Sequence, residues 1–105
     1  MHPLIDQKRQ EIEAICRRYR IRRLEVFGSA ARGQDFEPSR SDADFLVEFE
    51  PGAKLGFRDF LAMKEALQQV LGRTVDLVDR AVIEQSRNYL RRRHILGQAE
   101  TVYVA

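Results

Sequence analysis

Two aspartates at the start of a predicted strand are the sharpest chemical feature of this sequence. Asp42 and Asp44 lie within the segment SDADFLVEF, residues 41–49. Side chains on a strand alternate between two faces, so both carboxylates point to one side while Phe45 and Val47 point to the other. Repulsion between neighbouring carboxylates is relieved when a cation lies between them, and hard oxygen ligands suit magnesium. Taken alone, the pattern fits either a metal site or a solvated acidic strand edge.

A third carboxylate occurs in the predicted strand that begins at Val75. Val75 and Leu77 share one face of this strand, and Asp76 lies on the other. A charge in the middle of an apolar strand is costly unless it is paired or bound to a metal. If the two strands are neighbours, Asp76 joins Asp42 and Asp44 on one face. Three converging carboxylates are the ligand set that a two-metal phosphoryl-transfer centre needs.

The segment FGSAARG, residues 27–33, follows an earlier predicted strand and has the character of a phosphate site. Gly28 has no Cβ, so a ligand can come close to the backbone there. Ser29 offers a hydroxyl and a main-chain N–H at the start of a helical turn, which is a ready anion site. Facing three carboxylates, the pair would cradle the β- and γ-phosphates of a nucleotide.

Alternating elements must position these residues. The spacing of apolar residues predicts helices over 3–19, 55–71 and about 82–96, and strands over 21–27, 43–49 and 74–78. Gly72 is predicted to end the second helix, and Asp79 to cap a helix or lie on the surface. The last residues, TVYVA, fit a short strand or a docked tail. This order predicts an α/β fold in which a small mixed sheet packs against helices in one domain, residues 1–105.

The predicted helix over 55–71 presents an apolar side to the core. Its expected members share one helical stripe: Phe57, Phe60, Leu61, Leu67 and Leu71. The first helix is expected to do the same with a second set: Ile12, Ile15, Cys16 and Tyr19. Burial of these two stripes against the sheet would form the core.

Composition limits the classes of function. The chain has 105 residues, 44% of them hydrophobic and 32% charged, and its net charge of +2 is too small to indicate a nucleic-acid binder by itself. No apolar stretch approaches the ~20 residues that a membrane span needs. Cys16 is the only cysteine, which excludes an internal disulfide and a cysteine-based zinc site. A cytoplasmic protein is expected.

Positive charge is nevertheless clumped along the chain. Two groups of arginines carry it: Arg17, Arg18, Arg20, Arg22 and Arg23, and then Arg87, Arg91, Arg92 and Arg93. Such groups are typical of solvated faces at helix ends, where cations suit the helix dipole. They would also attract a nucleotide, an RNA or an acidic protein partner, and the sequence leaves both interpretations open.

Taken together, the motifs resemble those of a known family. FGSAARG at 27–33, SDADFLVEF at 41–49 and VDLV at 75–78 fit the pattern GSxARG…SDxDFLV…VDL throughout. The sequence resembles the nucleotidyltransferase superfamily that includes DNA polymerase β. More narrowly, it resembles the minimal nucleotidyltransferases, which pair with HEPN-domain toxins in prokaryotic toxin–antitoxin systems. The resemblance spans essentially the whole chain and implies a polymerase β-like nucleotidyltransferase fold.

The resemblance implies a nucleoside-triphosphate substrate and a metal-dependent reaction. Asp42 and Asp44 would bind two Mg²⁺ ions, for which Mn²⁺ can substitute, and Asp76 would be the third catalytic and metal-binding carboxylate. A hydroxyl then attacks the α-phosphorus and pyrophosphate leaves, with Asp76 placed to orient the attacking group. Phosphoryl transfer relies mainly on position and charge, so the motifs need little further machinery.

The same motif match assigns the phosphate-binding residues. Gly28 and Ser29 would hold the phosphates of ATP. Arg32 also matches the signature, and it fits two roles equally well: contact with a phosphate, or an internal ion pair that braces the loop.

The resemblance also implies an acceptor. AMP would move from ATP to a tyrosine hydroxyl of a HEPN toxin, and the protein would act as the antitoxin. Only one helix and a tail follow the catalytic motifs, so the acceptor is expected to dock by itself. Neither a membrane nor a nucleic acid is expected as a direct partner, and a homo-oligomer stays open.

Two alternatives remain at this point. One is a nucleotidyltransferase that acts on a small molecule or an RNA end, and the other is a non-catalytic antitoxin that neutralises its toxin by binding. The last helix and the tail VYVA either dock a partner or simply cover the sheet. The apolar helix residues concerned are Tyr89, Leu90, Ile95 and Leu96.

Overall fold

The fold is an α/β arrangement built on one mixed sheet. The computed structural model describes residues 3–27, 43–85 and 87–105, without the side chains of residues 89, 91, 92 and 94. The helices are α1 (Pro3–Gln7), α2 (Arg9–Arg18), α3 (Phe57–Leu71), α4 (Arg80–Glu84) and α5 (Tyr89–Gln98). The strands are β1 (Ile21–Phe27), β2 (Ala43–Phe49), β3 (Val75–Asp79) and β4 (Glu100–Val104).

The described strands form a sheet in the order β3-β2-β1-β4. β1 pairs antiparallel with β2 and with β4, whereas β2 pairs parallel with β3. Helix α3 makes the crossover that two parallel neighbours require. The predicted small mixed sheet packed against helices is therefore confirmed, and the tail forms an edge strand.

One face of the sheet carries the main core. Helices α1, α2 and α3 pack on this face, and the largest side chains here are fully buried: Ile5, Ile12, Ile21, Leu24, Phe45, Met63 and Leu67. The predicted helix over 3–19 exists with an irregularity at Lys8. Helical hydrogen bonds continue through it, since Lys8 N–H donates to Leu4 C=O over 3.2 Å and Ile12 N–H donates to Lys8 C=O over 3.0 Å.

The opposite face of the sheet carries a smaller apolar cluster. Leu46 of β2 packs with Ile83 of α4 and Ile95 of α5, and all three are buried. Phe27 and Val78 lie against this cluster. The two short helices therefore cover part of the face that α1–α3 leave open.

The helix predicted over about 82–96 is wrong in its extent, because two helices occupy this region. Asp79 caps the first of them, as its Oδ1 accepts a hydrogen bond from Ala81 N–H over 2.9 Å, so the helix begins at Arg80. It ends at Glu84, and α5 begins at Tyr89. Serine and asparagine, which stand at 86 and 88, favour caps and turns over helix interiors.

The apolar stripe predicted for α3 is only partly correct. Leu67 and Leu71 are buried as expected, together with Met63, which the prediction omitted. Phe57 and Leu61 remain 76% and 43% exposed. Phe60, which lies between them on the same turns, packs against the main core, so Phe57 and Leu61 lie on the flank of the buried stripe.

Three of the five arginines of the first group lie in surface ion pairs with other described residues. Arg17 pairs with Glu13 at 3.5 Å, and the guanidinium of Arg18 lies 5.6 Å from the ring centre of Tyr19. The pairs Arg20–Glu50 and Arg22–Glu48 have nitrogen–oxygen distances of 3.3 and 3.7 Å. This arrangement favours the interpretation of a solvated face.

Gly72→Ala is expected to lower the free energy of unfolding by about 1 kcal/mol, because alanine is strained in the left-handed region. Gly72 ends α3 with φ at +69°, and its N–H donates to Gln68 C=O over 2.8 Å. Gly97→Ala is the matched control, since Gly97 lies within α5 with open space around its Cα. There alanine should stabilise the protein, by up to about 1 kcal/mol. Urea denaturation measures both, and equal effects of the two substitutions would contradict the prediction.

The Cys16 thiol is expected to resist thiol reagents at pH 8 in the folded protein. Burial raises the pKa of the Cys16 thiol to about 12, with a further contribution from the charge of Glu13. Unfolding returns the thiol to a pKa of about 8.5. Stability should therefore fall as pH rises above about 8.5, because the unfolded chain releases the proton first. Labelling with a chromogenic disulfide should be slow until denaturant is added, and equal rates in both states would contradict this.

Candidate active site

Asp44 and Asp76 stand side by side on neighbouring strands. Each is the second residue of its strand, and the parallel register of β2 and β3 pairs them directly. Neighbouring strands are about 4.8 Å apart, so the two carboxylates start close together. The two strands are neighbours, which was the condition for Asp76 to join the other carboxylates, and this brings together two of the three predicted carboxylates.

Strand alternation sets the direction of both carboxylates. The flanking residues Ala43, Phe45, Val75 and Leu77 are buried in the main core. Asp44 and Asp76 therefore point to the opposite face, where Asp44 is half-buried and Asp76 is exposed. On its other side, Asp44 is paired with Phe27 of β1. The carboxylates thus lie beside the point where β1 runs into Gly28 and Ser29.

Two hydrogen bonds fix the start of β3 just before Asp76. Ala43 N–H donates to Thr74 C=O over 3.0 Å, which ties the strand to β2. On the outer edge, Val75 N–H donates to the Gln68 side-chain Oε1 over 3.1 Å. An edge strand has no neighbour to accept this second N–H, so the Gln68 amide of α3 takes that place. The backbone just before Asp76 is thereby hydrogen-bonded on both sides of the strand.

A buried ion pair on the same face was missed by the sequence analysis. Arg80 Nη1 donates to Glu25 Oε1, and both side chains are largely buried. Arg80 Nε also donates to Glu84 Oε1 over 2.9 Å. The sequence contains a signal for a partner of Glu25, because Glu25 interrupts the apolar run of residues 24–27 just as Asp76 interrupts β3. A charge in such a position needs a partner.

Four predicted site residues, Gly28, Ser29, Arg32 and Asp42, lie outside the described residues, and their roles stay predictions. Within the described ranges, no group of three or more histidine, cysteine, aspartate or glutamate side chains is placed to hold a metal ion. Asp44 and Asp76 are the two predicted ligands in that part of the chain.

The surfaces proposed for docking divide into covered and open parts. Ile95 is buried in the smaller apolar cluster and Leu96 is half-buried against it, so these two residues cover the sheet. Leu90 remains 76% exposed and Val104 is exposed as well.

None of the helices in the described part of the chain is long and apolar enough to cross a membrane.

Comparison with known proteins agrees with this geometry. The profile of the nucleotidyltransferase domain matches residues 8–99, which include both described carboxylates and the segment between β1 and β2. The chain belongs to the nucleotidyltransferase domain family. The resemblance inferred from the motifs is thus confirmed.

The chain is similar to two proteins that are named as protein adenylyltransferases. The protein adenylyltransferase MntA of Thermococcus cleftensis is 39% identical over 77 residues, which cover 66% of this chain and 74% of that protein. A Methanocaldococcus jannaschii protein assigned as a protein adenylyltransferase is 36% identical over 66 residues, covering 63% of this chain. This second alignment spans 64% of the relative's own length.

Solved structures share the fold. A protein assigned as a minimal nucleotidyltransferase has a TM-score of 0.71 and 33% identity, with 95% of each chain covered. The complex of a tri-AMPylated Shewanella oneidensis HEPN toxin with MNT antitoxin has a chain that matches with a TM-score of 0.63 at 17% identity. That match covers 96% of this chain and 73% of the other, and at this identity it shows the fold alone.

Proposed function

We propose that this protein transfers AMP from ATP to a tyrosine hydroxyl of a HEPN ribonuclease toxin and thereby acts as its antitoxin. The observation that carries the proposal is the direct pairing of Asp44 with Asp76 on the face beside the end of β1. The names of the relatives support the activity, since MntA of Thermococcus cleftensis is a protein adenylyltransferase. A chain of the same fold occurs in a complex with an AMPylated HEPN toxin, which supports a HEPN protein as the acceptor.

The donor set fits divalent magnesium. Asp44 and Asp76 offer carboxylate oxygens from directly paired positions on adjacent strands, and such hard oxygen ligands suit Mg²⁺. Asp42, Asp44 and Asp76 would hold two Mg²⁺ ions, and Mn²⁺ would be accepted in their place. When bound, the ions neutralise the triphosphate and lower the pKa of the attacking hydroxyl.

The chain's own residues would orient the reactants. Gly28 and Ser29 would bind the β- and γ-phosphates, with Arg32 contacting phosphate or bracing this loop. The tyrosine oxygen forms a bond to the α-phosphorus, and the bond from that phosphorus to the pyrophosphate oxygen breaks. Asp76, being exposed, can meet the incoming hydroxyl and accept its proton. Pyrophosphate leaves with the electron pair of the broken bond.

The proposal includes the setting in which the protein works. It would act in the cytoplasm as one nucleotidyltransferase domain, with an acceptor protein that docks on its own. The exposed apolar residues Leu90 and Phe57 are available to such a partner. The proposal includes no membrane partner and no nucleic acid as direct substrate.

Co-expression with a HEPN toxin encoded beside this gene tests the proposal. Intact-mass and peptide analysis should find AMP on a toxin tyrosine, and the modified toxin should lose ribonuclease activity. Toxin that is neutralised but unmodified would favour neutralisation by binding. Transfer of AMP to an RNA end or a small molecule, with no labelling of the toxin, would favour the other alternative. The control is a reaction of the two purified proteins with ATP, in which omission of divalent metal should abolish labelling.

A further inference from the structure

The Glu25–Arg80 ion pair joins two parts of the chain that the sheet does not join directly. Glu25 lies on β1 and is only 7% exposed, while Arg80 is the first residue of α4 and directly follows β3. In the sheet, β2 lies between β1 and β3. The pair therefore spans β2 on the face that carries Asp44.

Both ends of this pair lie close to predicted site residues. Glu25 is paired in register with Leu46, and two residues further along β1 Phe27 is paired with Asp44. At the other end, Arg80 follows the strand whose second residue is Asp76. The pair therefore adds a side-chain link between the last residues of β1 and the end of β3, next to Asp44 and Asp76.

Apolar packing, a helix cap and the bonds of Arg80 hold α4 in place. This helix has only five residues, too few to be stable alone. Ile83 anchors it by packing on Leu46, and Asp79 caps its first turn. Packing against apolar side chains is non-directional. The bond of Arg80 to Glu25 supplies a fixed orientation relative to β1, because the guanidinium is a planar fork that also bonds Glu84 within α4.

We propose that Glu25 and Arg80 form a positioning pair for nucleotidyl transfer. The pair fixes the end of β1 against β3, and it thereby holds Phe27 in position beside Asp44 and Asp76. The expected effect on the transfer rate rests on the proposed function, whereas the effect on the position of β1 relative to β3 does not. Neither residue touches substrate, and a misplacement of about 1 Å can lower the rate of a positioned reaction by about 10²-fold.

The decisive variant replaces both charges by apolar side chains. Glu25→Leu with Arg80→Met leaves no unpaired buried charge, and such replacements are often neutral or favourable for stability. The matched control is Arg22→Met with Glu48→Leu, which removes an exposed ion pair between β1 and β2. The control changes the same residue types on the same sheet without touching α4.

Two measurements separate positioning from a merely structural role. With the HEPN acceptor, kcat of the double variant should fall by about 10- to 100-fold while the ATP concentration for half-maximal rate changes little, because the ligands of ATP remain. Without any substrate, backbone amide shifts of Phe27, Asp44 and Asp76 should move in the double variant. Both quantities should stay at the parent's values in the control. Melting curves give the folded fraction.

A double variant that is folded, with unchanged kcat or unchanged amide shifts, would overturn the proposal. If the parent itself transfers nothing, the proposed function fails, and the amide shifts alone then decide whether the pair sets the alignment. If the double variant does not fold, Arg80→Lys takes its place, since it keeps the charge and loses the fork. A folded Arg80→Lys protein should show the same loss of rate and the same shifts, and parent-like values would again overturn the proposal.

Discussion

Asp76→Asn is expected to lower the rate of nucleotidyl transfer by at least ~10²-fold, as for loss of a positioned acid–base or metal-orienting group. The metal-free protein should stay as stable as the parent or become slightly more stable. The reason is that Asn removes one of two negative charges paired across β2 and β3. Asp76 is exposed and forms no salt bridge with the residues that the structure describes, so the amide leaves no buried cation unpaired. Single-turnover rates and melting curves without metal measure the two effects.

Asp79→Asn is the matched control for this variant. Asp79 lies three positions further on, at the end of the same strand, and its side chain caps α4. Asparagine caps helices about as well as aspartate, so both the rate and the melting temperature should stay close to the parent. A large loss of stability in Asp76→Asn with normal transfer by the folded fraction would remove Asp76 from the active site.

Phe45→Ala is expected to lower the free energy of unfolding by about 3–5 kcal/mol, the usual effect of truncating a buried aromatic residue. Phe45 has no exposed surface and lies on the core face of β2, next to Asp44. A domain of this size is typically stable by only about 5–15 kcal/mol. The variant should therefore unfold at a much lower urea concentration, and transfer should fall in proportion to the folded fraction.

Phe57→Ala gives the comparison for the same chemical change at an open position. Phe57 is exposed on the first turn of α3, and truncation there should change the free energy of unfolding by no more than about 0.5 kcal/mol. Urea titration of both variants decides the matter. A similar loss of stability at the two positions would mean that Phe57 is covered in solution, for example by a second chain.

The strands and the facing carboxylates could be predicted because their patterns are strict. In β3, buried Val75 and Leu77 alternate with exposed Asp76, and the strand period of two leaves little freedom in assigning faces. The adjacency of β2 and β3 was also predictable, since a helix between two strands favours a crossover. These features depend on local sequence alone.

The features that could not be predicted depend on distant contacts. Glu25 and Arg80 meet across β2, and nothing in either local sequence names the other as its partner. Phe57 is exposed while Phe60 packs against the core, and apolar spacing alone does not separate the two. The last predicted helix is divided between Glu84 and Tyr89, and the apolar spacing that begins at Val82 does not show this break. Tertiary context decides each of these cases.

The position of β3 at an edge of the sheet determines which backbone amides a bound nucleotide would protect from hydrogen exchange. Separation of β3 from β2 is a local opening that takes Asp76 away from Asp44 while β1 and β4 stay paired. A ligand held by both carboxylates adds its binding free energy to that opening. Amide hydrogen exchange in β3 should therefore slow as the site fills. Exchange in β4, at the opposite edge, should keep its rate, because β4 can open without disturbing either carboxylate.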